Sequence, residues 1–192
     1  MSRLPVVIDL ETKYTFREKK DVRELGISVF GIYDYAKDKI WVVREENIAE
    51  VFPFLENASY IIGYNVEKFD LQVLQKYYPG DVRRLPSFDL MEDIKKRVGK
   101  RIALDEVLYA TLNAKKIGHG LKAVEDYKKG NWKDLEAYCL EDVRLTKELF
   151  DFGVRNGKIF YPTAEGKEEI RVDWKKFLYE DSKSDVSLTL PF

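Results

Sequence analysis

Residues 4–12 read LPVVIDLET, an apolar run into which Asp9 and Glu11 intrude, and the rest of the chain is read outward from it. In an extended strand alternate side chains share a face, so Val7, Asp9 and Glu11 project one way and Val6, Ile8 and Leu10 the other. Residues 4–10 therefore predict a strand that presents two carboxylates together near its end. Two more core-forming segments carry an acid. In GYNVEKFDLQVL (63–74), Asp70 shares its helix side with Leu74 and Tyr77. In the stretch ending YCLEDVRLTKELF (138–150), Leu135, Tyr138, Asp142, Leu145, Leu149 and Phe152 follow steps of three and four, which is one helix face. Asp142 thus sits on an apolar stripe with Tyr138 one turn before it. Buried carboxylates are unfavourable unless something positive meets them, and a shared divalent cation answers all three intrusions at once.

Each segment alone has a plainer reading. An Asp-x-Glu pair also fits a strand end fraying into solvent, Asp70 fits a first-turn acid favoured by the helix dipole, and Asp142 fits a buried acid met by a backbone donor. It is the recurrence on three elements that asks for metal. Four acids supply hard oxygen ligands for two ions, Mg²⁺ or Mn²⁺, the requirement of two-metal phosphodiester hydrolysis, and an adjacent tyrosine hydroxyl can orient the attacking water.

Around these segments the pattern predicts strands at 26–34 and 39–43, separated by a turn at Ala36, Lys37 and Asp38, so that the first three strands form a meander. A short helix at 47–57, a buried strand at 60–63, a helix from Glu67 to Tyr77 closed by Pro79-Gly80, and a strand at 87–89 follow. Helices are expected at about 90–98, 103–112, 121–129 and 132–152, broken at Gly99, Gly118, Gly120 and Gly130. The order implies an α/β fold with a mixed five-stranded sheet and helices on both faces. Residues 1–155 read as the main domain. Residues 156–192 read as a C-terminal hairpin, turning near Ala164 to Gly166, and a tail packed on or extending from the same domain.

The chain has 192 residues, 45% of them hydrophobic and 14% aromatic, enough for one domain with a substantial core. A net charge of -1 gives no global sign of a polyanion partner. Lys95, Lys96, Arg97, Lys100 and Arg101, then Lys115, Lys116, Lys122, Lys128, Lys129 and Lys133, nevertheless make the middle of the chain basic, which fits a solvated face as well as nucleic-acid contact. Cys139 is the only cysteine, so an internal disulfide and a cysteine zinc site are excluded. With no signal-like start and no stretch long enough to span a bilayer, a cytoplasmic protein without a membrane partner is expected.

Taken together, the motifs resemble those of the DEDD superfamily of 3′-to-5′ exonucleases, which have a ribonuclease H-like fold. VVIDLET resembles the first motif, IIGYNVEKFDLQVL the second and YCLEDVRLTKELF the third, in the family's order from Asp9 to Asp142. The last two are especially similar to proofreading domains of family B DNA polymerases. Ala137 stands where histidine versions place their histidine, whereas Tyr138 stands four before Asp142, so the resemblance is to the tyrosine branch; His119 is read as a loop residue. It implies that Asp9, Glu11, Asp70 and Asp142 ligate the metals and Tyr138 positions water. It further implies that Leu10, Thr12, Asn65 and Phe69 line the path of the 3′-terminal nucleotide.

The implied activity is release of nucleoside 5′-monophosphates from single-stranded 3′ ends, DNA before RNA, with the basic clusters as phosphate contacts. An exoribonuclease of the same chemistry and a non-catalytic nucleic-acid-binding or partner-binding module are the rival readings. The tail, SLTLPF (187–192), faintly resembles peptides that dock on sliding clamps, but lacks their glutamine.

Overall fold

In the computed structural model, residues 3–115 and 120–178 are described. The apolar strand that opens the chain becomes β1 (Val6–Thr12), in which only Asp9 is not buried. It pairs antiparallel with β2 (Ile27–Asp34), which pairs antiparallel with β3 (Lys39–Arg44). After a 3-10 turn at Glu45–Val51 and α1 (Phe52–Asn57), the chain enters β4 (Ile61–Gly63), parallel to β1. Helix α2 (Asp70–Leu74) leads to β5 (Ser87–Asp89), parallel to β4. The five-stranded sheet has the order β3-β2-β1-β4-β5, the mixed sheet with an initial meander expected from the sequence.

Helices α3 (Leu90–Val98), α4 (Leu104–Leu112), α5 (Gly120–Lys129) and α6 (Trp132–Asn156) follow. The alternation in β1 divides the core. Val6, Ile8 and Leu10 pack with Leu55, Leu71 and Leu74 of α1 and α2, while Val7 packs with Val143, Leu145, Leu149 and Phe150 of α6 on the other side. Helix α6 stops where Gly157 takes a left-handed conformation (φ 64°) as its C-cap. No described helix is long and apolar enough to cross a membrane.

Beyond α6, β6 (Lys158–Thr163) and β7 (Gly166–Arg171) form a separate two-stranded hairpin, followed by α7 (Lys175–Leu178). Thr111 of α4 holds β6: its hydroxyl donates to the Phe160 carbonyl and accepts from the Phe160 N–H, both at 2.9 Å. Trp174 is buried against Gly153, where a Cβ would come within 2.2 Å of the indole, and its Nε1 donates to Asp93 at 2.8 Å. His119 and the SLTLPF tail lie outside the described residues.

Two local features aim the acids. Between Glu11 and Thr12 the β1–β2 register slips, so that Glu11 faces Val29 and Thr12 faces Ile27, leaving Ser28 as an extra residue on β2. Such a bulge twists a strand end and re-aims its side chains. The helix expected over Glu67 to Tyr77 is shorter, Asp70–Leu74, because Phe69 is not helical (φ −123°, ψ −76°) and the Leu71 N–H donates five residues back, to the Val66 carbonyl at 3.0 Å. A turn one residue wider than α swings Asp70 to the first helical position.

Candidate metal and nucleic-acid site

The carboxyl ends of parallel β1 and β4 point the same way, so side chains at the end of β1 meet whatever follows β4. Asp9 and Glu11 leave β1 on the face covered by α6. Gly31, paired with Asp9 in the sheet, lacks the Cβ that would strike Cys139 and Val143, so α6 lies close and brings Asp142 to them. One oxygen each from Asp9, Glu11 and Asp142 can be chosen so that all three lie within 4.8 Å of one another. Glu11 is 8% exposed and Asp142 1%, which separates this group from a solvated acidic patch.

Asp70, 4% exposed, arrives from the other side of the sheet, and the Leu10 N–H donates to its Oδ1 at 3.1 Å. Asp9, Glu11, Asp70, Asp142 and Tyr138 all line one cavity of about 420 Å³. Leu10, Thr12 and Phe69 line it too. The Leu10 side chain belongs to the core, and the Thr12 hydroxyl donates to the Tyr14 carbonyl at 2.9 Å.

Asn65 is not among the residues lining the cavity. It takes a left-handed conformation (φ 68°), its side-chain oxygen is buried, and its N–H donates to Asp89 Oδ1 at 2.9 Å. Asp89 also accepts from the N–H groups of Glu67, Met91 and Glu92, thereby joining the turn before Asp70 to the start of α3. Burial pushes the Asp89 carboxyl above its ordinary range, with the backbone donors opposing that shift.

The local field is negative. Burial raises the Cys139 thiol well above its usual pKa, and the charges of Asp9, Glu11 and Asp142 push it further in the same direction. An all-oxygen carboxylate set fits a hard divalent cation rather than a metal that selects sulfur or nitrogen.

Reading from the sequence did not single out the rest of the cavity wall. Tyr14, Thr15, Phe16 and Leu25 come from the segment after β1, Tyr64 from just after β4, and Gly120, Leu121 and Val124 from α5. Phe16 is 52% exposed and Leu121 60%, and the Phe16 ring lies 6.2 Å from that of Phe69. Glu18 ties this segment to α5: it accepts from Lys128 Nζ at 2.6 Å and from the Thr15 N–H at 2.9 Å. Those bonds, Lys128 first, hold its carboxyl down at about 2.

Fold and site together define an α/β domain of the ribonuclease H-like nuclease type with a carboxylate cluster suited to a divalent metal. A model of the RNase_H superfamily matches residues 6–153, and the chain belongs to that superfamily. Among solved structures it is similar to the family B DNA polymerase of the hyperthermophilic archaeon Pyrobaculum calidifontis, with a TM-score of 0.63 and 19% identity. That likeness is one of fold; it covers 80% of this chain and 25% of the polymerase. No curated protein matches the sequence.

Proposed function

We propose that the protein is a metal-dependent 3′-to-5′ exonuclease of the tyrosine-bearing DEDD branch, acting on single-stranded ends and releasing nucleoside 5′-monophosphates. The observation that carries this reading is the convergence of Asp9, Glu11, Asp70, Tyr138 and Asp142, drawn from a strand and two helices, on one cavity.

Asp9, Glu11, Asp70 and Asp142 would hold two divalent ions, Mg²⁺ or Mn²⁺. Bound there, such ions supply an activated water and stabilise charge on the leaving oxygen. Tyr138, one helical turn before Asp142, orients the attacking water through its hydroxyl and need not act as base. Thr12 and Phe69 receive the terminal nucleotide, Phe69 against the base, whereas Leu10 acts from the core through its N–H on Asp70 and Asn65 by holding the turn that delivers Asp70. The fold shared with a DNA polymerase favours DNA as substrate.

The test is Mn²⁺-dependent digestion of 3′-labelled and 5′-labelled single strands, as DNA and as RNA, by wild type and Asp9→Ala. Ladders shortening from the 3′ end, faster on DNA and absent in the variant, are expected. Shortening from the 5′ end, or binding without any product, overturns the reading.

A further inference from the structure

A second concave surface lies between the C-terminal end of α4 and the β6–β7 hairpin. Its volume is about 600 Å³, and Tyr109 and Asn113 form one side, Pro162 and Lys167 the other. None of its lining residues is acidic, although 34 of the 192 residues in the chain are Asp or Glu. Tyr109 is 53% exposed, an aromatic face turned to solvent without a core reason. Lys115 Nζ lies 5.4 Å from its ring centre, and Lys167 Nζ lies 4.7 Å from that of Phe160. Lys167 donates one hydrogen bond to the Ala110 carbonyl at 3.2 Å. An ammonium has three donors, so two are left for an anion.

Aromatic faces interleaved with cations are the chemistry of single-strand binding, in which rings stack on bases and lysines meet phosphates. Chain connectivity sets the range. Gly120, which lines the carboxylate cavity, is five residues from Lys115, so their Cα atoms are at most about 18 Å apart. At the spacing of a stacked strand that is at most roughly five nucleotides.

We propose that this groove holds the upstream segment of a single-stranded nucleic acid whose 3′ end lies in the carboxylate cavity, with Tyr109 stacking on a base and Lys115 and Lys167 contacting phosphates. The polarity rests on the exonuclease reading; binding in the groove does not.

The test uses the full chain and 5′-fluorescent oligodeoxythymidine and oligouridine of roughly 4 and roughly 16 nucleotides, a range spanning typical single-strand site sizes. Binding is followed by anisotropy in EDTA over a salt series, and short-strand hydrolysis is measured separately in Mn²⁺. Lys115→Glu combined with Lys167→Glu is expected to weaken long-strand binding about tenfold or more. The slope of log K against log salt should fall by about 1.4, at roughly 0.7 per phosphate contact. Tyr109→Ala should weaken long-strand binding about tenfold, Tyr109→Phe should preserve it, and short-strand hydrolysis should be unchanged in both Tyr109 variants.

Long-strand affinity and salt slope equal to wild type, equal losses at both lengths, or no long-strand binding by wild type would each overturn the groove. Absence of short-strand hydrolysis by wild type would instead count against the exonuclease reading, and the anisotropy comparison would still decide the groove.

Discussion

Gly31 lies directly beneath Cys139: a Cβ on the glycine would stand 2.9 Å from the cysteine sulfur and 2.7 Å from Val143 Cγ2. Real Cβ atoms do not approach so closely, so the missing methyl sets how near α6 comes to the sheet. The Cys139 thiol donates to the Asp9 carbonyl at 3.5 Å, so this contact lies beside the acids. Gly31→Ala should lower stability by about 1–3 kcal/mol, the usual range for overpacking. It should slow Mn²⁺-dependent hydrolysis by about tenfold or more, because small misplacements of reacting groups are heavily penalised. Thermal melts and single-turnover rates, repeated with Cys139→Ala and Val143→Ala added to relieve both contacts, check both effects.

Asp142→Asn should leave the metal-free protein folded and at least as stable, since it removes one of three clustered like charges. Wild type should melt higher in Mn²⁺, by the equivalent of about 2.7 kcal/mol at a hundredfold excess over Kd. The variant should show much less of this rise. An equal rise in both proteins, read by differential scanning calorimetry, would place the ion elsewhere.

Tyr138→Phe keeps the ring on the cavity wall and removes only its hydroxyl. If that hydroxyl orients water, hydrolysis should slow by about 10²-fold, the lower end for a group that assists proton movement, with the Mn²⁺ dependence of melting unchanged. A loss as deep as that of Asp142→Asn would assign Tyr138 a larger role than orientation.

Asp89→Ala strips an acceptor from the N–H groups of Asn65, Glu67, Met91 and Glu92. A loss of about 3 kcal/mol is expected, since bonds to a charged acceptor contribute about 1.5–3 kcal/mol each and water will replace some of them. Asp89→Asn retains an oxygen that can accept from Asn65, Met91 and Glu92, and should recover part of the loss. Mn²⁺ affinity should follow the same order, because the turn it holds leads to Asp70; urea melts and metal titrations would show whether the two quantities move together.

Glu18 gives a pH dependence. Its folded pKa, about 2, lies below its ordinary value of 4.5. The contribution of its bonds to Lys128 and Thr15 is therefore complete above the ordinary glutamate range and is lost as pH falls toward 2. Over that window the Thr15–Glu18 turn should open, seen as faster amide exchange at Thr15. Lys128→Met should move the NMR titration midpoint of Glu18 upward, and an unchanged midpoint would mean that Lys128 is not its main partner in solution.

Most of the sheet was legible because a period of two is hard to mistake when one strand carries both core and acids: Val6, Ile8 and Leu10 against Val7, Asp9 and Glu11. Helix α6 was legible for the same reason at a period of 3.6. The shortest helical turns escaped, although the three-residue strands β4 and β5 did not. The 3-10 turns at Val22–Glu24 and Val82–Arg84 and the four-residue α7 are too brief for periodicity to register. The Glu67 to Tyr77 helix was overdrawn because a five-residue-back hydrogen bond has no local sequence signature. Phe16, Leu121 and Tyr64 were missed as wall residues because nothing in their own neighbourhoods says what faces them across the fold. Gly31 was unremarkable within β2, and its meaning depends on a helix more than a hundred residues away.

The acidic centre draws on both ends of a span from Asp9 to Asp142, and its geometry comes from contacts between segments far apart in sequence. Chains whose contacts are this non-local gain them late in folding. A nascent or partly denatured copy therefore lacks the clustered carboxylates, which come together only in a finished tertiary structure.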